Sequence, residues 1–448
     1  MKKTVKLLSV LLAAIIILSP VYAVAAGVAE SGVTNVQTPV SSDGARLLWS
    51  RKFGSSYKNA PSTMAVVGST LVVMSGKKLY KLHTESGETL GCADMTEPPS
   101  FGYTPPAVYD GVIYCPLENG TIQAFDYETL DFLWVYRDSL GGQSLSPIMY
   151  SDGCIYTGFW NDEDEYANFV CIDTENGADT NGNAEKTGRW SYKSKGGFYW
   201  AGCAFSGDYV IVGTDDGTLY SNKPSRLMCF DKKSGQVCDT LDIIGDQRSG
   251  ITANGDMLYF VTKAGYLYGV RFENGSFDKK NVKRMMLGGA STSTPVIYGR
   301  LLFVGVQGAN MREGTVKAVG LDTFGTVSSA SANGYPQNAV LISDAYLNSS
   351  DRLYVYSTYN APPGGIDVFT FSSDGKFLER TELFVPPDGM TEYCISSIVC
   401  DENGTLFYKN DSGSIFAVGK RSYAERSFFA LLRRLMKMIL TCLRRFFG

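Results

Sequence analysis

The fold is decided by the stretch TPPAVYDGVIY at residues 104–114, which continues as NGTIQAFD at 119–126 and ends in FLWVY at 132–136. Short apolar runs alternate with Asp-Gly and Asn-Gly pairs. Such pairs supply the positive φ angles that tight hairpin turns require. The stretch therefore predicts one small antiparallel sheet of short strands.

The same unit recurs along the chain. Its third strand is recognised at Leu79, Ile122, Phe169, Leu227, Leu267, Val316, Ile366 and Ile415, at spacings of 43, 47, 58, 40, 49, 50 and 49 residues. A period of 40–50 residues with four strands per unit is typical of a β-propeller. The longest spacing contains an insertion at residues 178–187. Eight copies predict an all-β, eight-bladed β-propeller over residues 46–420.

The fourth strands indicate how the ring closes. Seven copies are followed by a fourth strand of their own, whereas the eighth ends at Val418-Gly419. An unpartnered run, LLWSR at residues 47–51, precedes the first copy. We predict that this N-terminal strand completes the last blade, because closure removes the exposed edges of an open sheet. Trp49, Trp134 and Trp190 share one repeat position and are predicted to pack between blades.

The N-terminus has the features of an export signal. Lys2, Lys3 and Lys6 precede an apolar run at residues 7–18, and small residues follow at Ala23 and Ala25. This pattern predicts a signal peptide over residues 1–26, with an uncleaved anchor as the alternative. Residues 27–45 are interpreted as a linker. The protein is therefore expected to be extracytoplasmic, either secreted or attached to the cell envelope or cell surface.

The C-terminal segment, residues 421–448, is predicted to be a basic amphipathic helix. Apolar residues recur there at three- and four-residue steps, and residues 420–448 carry eight Lys and Arg against Glu425 alone. A cationic amphipathic helix can lie on a membrane surface. The alternative is a helix packed on the propeller or on another subunit. The predicted membrane-contacting residues are Phe428, Phe429, Arg433, Arg434, Lys437, Arg444, Arg445 and Phe446.

Charge and cysteine content constrain the partners and the compartment. Residues 27–419 contain 30 Lys and Arg against 44 Asp and Glu, and so acidic a body excludes nucleic acid as the expected partner. The ten cysteines show no disulfide-framework spacing. Five of them lie in apolar, strand-like runs and are predicted to be buried free thiols, with one or two cross-strand disulfides as the alternative: Cys115, Cys154, Cys171, Cys203 and Cys229.

Three turn motifs carry a family resemblance: AFD at 124–126 before LW at 133–134, TESGETL at 84–90 and DKKSGQV at 231–237. They resemble the pyrroloquinoline-quinone-like (quinoprotein alcohol dehydrogenase-like) propeller repeat over about residues 46–420. That family includes quinone-dependent dehydrogenases and the non-catalytic propeller lipoprotein of the outer-membrane assembly machine. The two branches imply opposite functions, so the site must decide between them.

The enzyme branch implies residues that this sequence does not supply. Its members place adjacent cysteines against the quinone and hold a calcium ion with carboxylate and amide groups beside a catalytic Asp or a His base. This sequence has no adjacent cysteines, and its one histidine, His83, stands at a turn. The loop Asp179–Asn183 lacks the distal Glu of a calcium loop. We therefore expect no quinone, no metal site and no catalytic residues.

The expected function is accordingly a non-catalytic binding or scaffold module for protein or glycan ligands. The alternatives are a quinone-dependent dehydrogenase or other propeller enzyme, and an envelope assembly scaffold. Four aromatic residues of consecutive blades stand off the repeat's Trp position and near the acidic run 162–165, which suits a protein or carbohydrate ligand. These candidate ligand-binding residues are Trp160, Tyr166, Tyr199 and Trp200. The alternative is that their rings fill space near the propeller axis.

Overall fold

The computed structural model describes residues 32–101, 103–175, 184–216 and 224–421. Within these ranges, 35 strands form eight separate antiparallel sheets that follow one another along the chain. Successive strands of each sheet are hydrogen-bonded neighbours. The fourth strands are half exposed, so they form the rim of the ring. The eight-bladed propeller predicted from the repeat is confirmed.

The four main strands of blades 1 to 4 are Ala65–Val67, Thr70–Ser75, Lys78–His83 and Thr89–Asp94; Ala107–Tyr109, Val112–Pro116, Thr121–Asp126 and Phe132–Arg137; Met149–Ser151, Cys154–Gly158, Tyr166–Asp173 and Trp190–Lys195; Ala204–Ser206, Tyr209–Gly213, Pro224–Asp231 and Val237–Ile244. Those of blades 5 to 8 are Thr252–Asn254, Met257–Val261, Tyr266–Glu273 and Lys283–Met286; Val296–Tyr298, Leu301–Gln307, Gly314–Gly320 and Gly325–Ala332; Leu341–Ser343, Leu353–Thr358, Ile366–Phe371 and Phe377–Phe384; Val399–Cys400, Leu406–Lys409, Ser414–Lys420 and Ala45–Lys52.

Three two-residue strands add to this pattern: Val33–Thr34 on blade 7, Glu185–Lys186 on blade 2 and Ser276–Phe277 on blade 5. The described helices are a 3-10 turn, Tyr57–Asn59, and a single α-helical turn, Leu347–Ser350. Neither of these helices has the length and apolarity to cross a membrane.

The ring closes as the fourth-strand count predicts. Ala45–Lys52 pairs antiparallel with Ser414–Lys420, placing Ala45 opposite Lys420 and Lys52 opposite Ser414. Residues 32–44, part of the predicted linker, pack on blades 7 and 8. Val33 and Thr34 pair in parallel with Ile342 and Ser343, the first strand of blade 7.

The core is divided into eight apolar clusters, one at each interface between neighbouring blades. All eight third-strand residues that mark the repeat are fully buried in these clusters or beside them. Burial of such side chains supplies most of the folding free energy. The nine described cysteines are free thiols, and the five predicted to be buried are buried.

The repeated tryptophan packs on the next blade. The Trp49 indole donates to the Thr84 carbonyl oxygen at 2.7 Å, and the Trp190 indole donates to the Lys232 carbonyl oxygen at 2.8 Å. Both acceptors lie in the turn between the third and fourth strands of the following blade. Trp134 is equally buried, but the corresponding turn of its neighbour carries the insertion. The predicted role of the three tryptophans is confirmed.

Antiparallel order divides the connections between two faces. The turns between first and second and between third and fourth strands form one face, here called the turn face. The connections between second and third strands and between blades form the other, here called the loop face. The predicted signal peptide, the C-terminal amphipathic helix from residue 422 and the loop Asp179–Asn183 lie outside the described residues.

Candidate binding site on the loop face

The loops of blades 3 and 4 are hydrogen-bonded into one unit on the loop face. Trp160 and Gln143 exchange two backbone hydrogen bonds of 2.7 and 3.1 Å. The Asp215 amide donates to the Gly197 carbonyl oxygen at 3.0 Å. Gly196 adopts φ +73°, and any Cβ there would collide with the Asp215 carbonyl oxygen. A glycine at this position is what allows the two loops to approach so closely.

A continuous series of six aromatic rings crosses this face, and we call it the aromatic arc. Neighbouring ring centroids along it are 4.7–6.4 Å apart, within the range of favourable ring pairs. Every ring is at least partly exposed, and Tyr57 at one end is 48% exposed. The members in order are Tyr57, Phe101, Tyr103, Trp200, Tyr199 and Trp160.

Two members of the arc have a left-handed backbone. Phe101 adopts φ +49° and Trp200 adopts φ +55°. A bulky L-residue in this region costs about 1–2 kcal/mol. Such conformations persist only where the surrounding structure imposes them, and they concentrate at functional sites. The arc therefore places large rings where the local backbone would favour glycine.

A buried arginine lies beneath the Trp160 end of the arc. Arg248 is 4% exposed and stacks under Tyr199, with its guanidinium carbon 4.3 Å from the ring centroid. It donates to both Asp215 oxygens at 2.9 and 2.6 Å and to both Glu163 oxygens at 2.8 and 2.9 Å. Asp215 is fully buried, whereas the Glu163 side chain is 26% exposed. The arginine thus ties the loops of blades 3, 4 and 5 together.

Two further buried charges complete this ionic cluster. The Ser225 hydroxyl donates to Asp246 at 2.7 Å, and the Lys263 amide donates to the Asp246 carbonyl oxygen at 2.8 Å. Burial, followed by repulsion from Arg248, lowers the pKa of Lys263 to about 8. Burial also raises the pKa of Asp215 well above its ordinary value, and Arg248 opposes that shift. The cluster is therefore sensitive to any change in its charge balance.

The carboxylates of this cluster are close enough together to raise the question of a metal ion. One oxygen each of Glu163, Asp215 and Asp246 lies within 4.8 Å of the others. However, Arg248 already neutralises two of them through four hydrogen bonds. A divalent cation would have to displace a buried guanidinium, so the donor set as arranged fits an arginine and does not fit a metal.

The other end of the arc borders a pocket of about 430 Å³ between blades 8 and 1. Tyr57, Tyr393, Glu392 and Asp411 are among its lining residues. Beneath it Lys409 is fully buried, with Nζ 3.6 Å from Asp411 and 4.9 Å from the centroid of Tyr103. Burial lowers the pKa of Lys409, and Asp411 opposes that shift. The arc thus runs between two buried cations that each have carboxylate partners.

The structure brings together three of the four aromatic residues predicted from sequence. Trp160, Tyr199 and Trp200 are consecutive members of the arc. Tyr166, the fourth, is 48% exposed on the third strand of blade 3, and its ring lies under Lys193, with Nζ 4.6 Å from the centroid. It therefore stands beside the arc and outside its series of ring contacts.

Sequence reasoning missed the other half of the site. Tyr57, Phe101 and Tyr103 lie in connections between blades, far from Trp160 in the chain. Arg248 has no distinguishing local pattern. The signal that was available is repeat position, since Asp215 and Trp160 occupy the same connection, between second and third strands, of neighbouring blades.

One family profile matches the chain. It is the profile described as outer membrane protein assembly factor BamB, and it covers residues 34–281, which is more than half of the chain. The match runs from the inner strand of blade 7 through the closing strand to blade 5. Among curated protein sequences, none matches the chain significantly.

Solved structures share the fold at low identity. BamB from Moraxella catarrhalis has a TM-score of 0.57 and 13% identity, covering 84% of this chain and 99% of its own. A europium-containing methanol dehydrogenase has a TM-score of 0.62 and 10% identity, covering 87% and 96%. The quinohemoprotein alcohol dehydrogenase from Comamonas testosteroni has a TM-score of 0.60 and 11% identity, covering 87% and 78%. Such likeness establishes a common fold and leaves the function to the site.

Proposed function

This chain belongs to the family of the outer membrane protein assembly factor BamB, and from that premise we propose that it is a non-catalytic scaffold of the cell envelope that binds a protein partner along the aromatic arc. The proposal includes an extracytoplasmic location, either attached to the envelope or secreted. The observation that carries it is the arc itself, with six ring side chains on rigid loops at one face of the propeller.

The physics of the arc favours binding over catalysis. Aromatic rings contribute large contact areas at a low cost in conformational entropy, and they dominate the energetics of protein interfaces. The ion pairs beneath the arc hold its loops in place, so little ordering is needed on binding. The carboxylates of Glu163 and Asp215 are engaged with Arg248, which leaves them poorly placed to act as a general acid or base. No quinone or other cofactor is part of the proposal.

The acidic surroundings indicate the kind of partner. Asp162, Asp164 and Glu165 are exposed beside Trp160, and Glu392 is exposed beside Tyr57. Cationic side chains stack on aromatic faces and pair with carboxylates. A protein segment that presents Arg or Lys together with apolar side chains fits both features. A glycan would use the rings but gain less from the carboxylates.

We also propose that the C-terminal segment holds the scaffold against an anionic membrane surface. Its support is the sequence of residues 421–448, in which apolar and basic residues alternate at helical spacing. Cationic amphipathic helices bind such surfaces through combined burial and charge attraction.

Site-specific photocrosslinking in the native envelope tests the protein partner. A photoreactive residue at Tyr57, Tyr103 or Tyr199 is expected to give one common protein adduct. The matched control is Leu378, which is 44% exposed on the rim of blade 7 and away from the loop face. A Tyr57→Ala, Phe101→Gly variant should weaken binding of the purified partner about 10-fold or more, because it removes two stacking rings.

Phe101→Gly also relieves the left-handed strain, so the variant should keep close to its full thermal stability. Equal adducts at Leu378 and at the arc would contradict the assigned face. Adducts that contain only polysaccharide would replace the protein partner with a glycan. Unchanged affinity in a folded double variant would remove the arc from the binding site.

A further inference from the structure

A second pocket, of about 400 Å³, lies at the edge of the turn face, between blades 7 and 8. It is formed where the closing strand begins and the last strand ends. The strap of residues 37–41 and the ring of Tyr346 form one wall. Three cations contribute to the rest of the lining, namely Arg46, Lys420 and Arg421.

Hydrogen bonds make this pocket rigid. Thr38 is fully buried, and its hydroxyl lies 2.7 Å from the Tyr356 hydroxyl. The Tyr346 hydroxyl donates to the Thr38 carbonyl oxygen at 2.8 Å. On the opposite side, Arg421 donates through its amide to the Gly44 carbonyl oxygen at 2.7 Å and through its guanidinium to the Ala45 carbonyl oxygen at 3.1 Å. The cations are therefore carried on paired backbone with little freedom to move apart.

The charge within the pocket is one-sided. Of the described residues, none that lines it is acidic, and Asp43 in the adjacent turn is exposed and outside the lining. Elsewhere the turn face is rich in carboxylates, for example Asp126, Asp231 and Asp374 in the turns between third and fourth strands. A concave cluster of like charges on a low-dielectric wall concentrates counter-ions. The cations are thus gathered at one place on a face that is otherwise acidic.

The pocket also marks the point from which the basic tail leaves the propeller. Residue 421 is the last described residue, and the chain continues with Arg426, Arg433, Arg434 and Lys437. Three cations in a rigid pocket therefore stand directly before a segment with further cations and an apolar stripe. A membrane-bound tail would bring this edge of the propeller to the headgroup layer.

We infer that this pocket binds the phosphate of an anionic phospholipid headgroup, so that the propeller contacts the membrane at the edge of blades 7 and 8. This inference rests on the proposed membrane association of the tail and adds a site on the folded body. Guanidinium and ammonium groups are the usual ligands of phosphate oxygens. The acidic turns of the remaining face keep it away from an anionic surface, which favours contact at this edge alone.

Vesicle flotation of residues 27–448 tests the inference. Vesicles contain phosphatidylcholine alone or with about one third phosphatidylglycerol. The pocket variant Arg46→Gln, Lys420→Gln should bind the phosphatidylglycerol vesicles about 10- to 30-fold more weakly, from the loss of two cations near the surface. The control variant Lys233→Gln, Lys280→Gln removes two exposed cations from the same face in blades 4 and 5 and should change binding less than 3-fold.

A second variant tests the sign of the effect. Asp43→Asn removes the exposed carboxylate beside the pocket and should strengthen phosphatidylglycerol binding, without a need for any change in fold. If neither protein binds anionic vesicles, the membrane proposal and the lipid inference both fail. If the wild type binds and the pocket variant binds equally well, the tail alone is the anchor and only the pocket inference is overturned.

The source of the phosphate is decided by a soluble probe. Calorimetric titration with inorganic phosphate should show weak, millimolar binding that the pocket variant loses and the control variant keeps. Tight binding of inorganic phosphate without any preference for phosphatidylglycerol would assign the pocket to a soluble phosphate compound and contradict the lipid.

Discussion

At the residue scale, the propeller depends on a tryptophan of one blade fitting over a glycine of the next. Trp190 lies on the turn of blade 4, where Gly235 has φ +69° and where a Cβ would approach the indole Cδ2 to 2.5 Å. Glycine is needed there twice over, for its backbone angle and for the space that it leaves. The Asp231 carboxylate holds the same turn by accepting from the Ser234 amide at 2.7 Å.

Substitution of Gly235 separates these two requirements. Gly235→Ala should destabilise the fold by about 1–2 kcal/mol through its positive φ and by about 1–3 kcal/mol more through collision with Trp190. Gly207 is the matched control, because it has φ +56° and no neighbour within 4 Å of an added Cβ. Urea unfolding of Gly207→Ala should therefore show the first cost alone. Equal losses in the two variants would contradict the packing role of the tryptophan.

At the scale of elements, the loop face is held together by charges that different connections contribute. Arg248 comes from the connection between blades 4 and 5, Asp215 from a loop of blade 4 and Glu163 from a loop of blade 3. Lys263 comes from the corresponding loop of blade 5. Removing one partner of a buried pair leaves an uncompensated charge, which costs more than the pair contributes. The loops of this face are therefore expected to respond to pH as a group.

Lys263 gives this expectation a definite sign. Its pKa in the folded protein, about 8, lies below its ordinary value of 10.5, so between these values the unfolded chain binds more protons. The contribution of Lys263 to stability therefore rises with pH across that interval. Urea unfolding at pH 7, 8, 9 and 10 should show the wild type gaining stability relative to Lys263→Met as the pH increases. A constant difference between the two proteins would contradict the lowered pKa.

At the scale of the whole molecule, closure joins the two ends of the described chain. The strand at residues 45–52 supplies the fourth strand of blade 8 and carries Trp49 onto blade 1. Without it, the strand Ser414–Lys420 becomes an exposed edge with unpaired backbone groups. The strap at residues 32–44 adds to this closure through Thr38 and its bond to Tyr356.

Two truncations distinguish the closing strand from the strap. A chain that begins at residue 45 should remain a folded monomer, less stable by about 2–4 kcal/mol because it loses several hydrogen bonds and a partner for buried Tyr356. A chain that begins at residue 53 should lose its cooperative thermal transition and associate through the exposed edge. Size-exclusion chromatography and thermal unfolding report both outcomes. Monomeric, cooperative unfolding of the shorter chain would contradict the role of closure.

Local sequence determined the repeat, the number of blades, the register of the eight third strands and the pairing of the chain ends. These features depend on apolar periodicity and on turn residues that act within a few positions, so they are visible in one dimension. The same reasoning found Trp160, Tyr199 and Trp200, because each departs from the repeat pattern at its own position. The export signal and the basic tail remain predictions from the same kind of local pattern.

Only the tertiary structure decided which of these residues form a site. The arc joins Tyr57 to Trp160 through loops of blades that are neighbours in the ring but about 100 residues apart in the chain. Arg248 became identifiable when its carboxylate partners from two other blades were in place. The pocket at Arg46 and Lys420 exists because closure brings residues from the beginning and the end of the propeller together. Contacts of this kind depend on how the ring closes, and a short window of sequence does not contain that information.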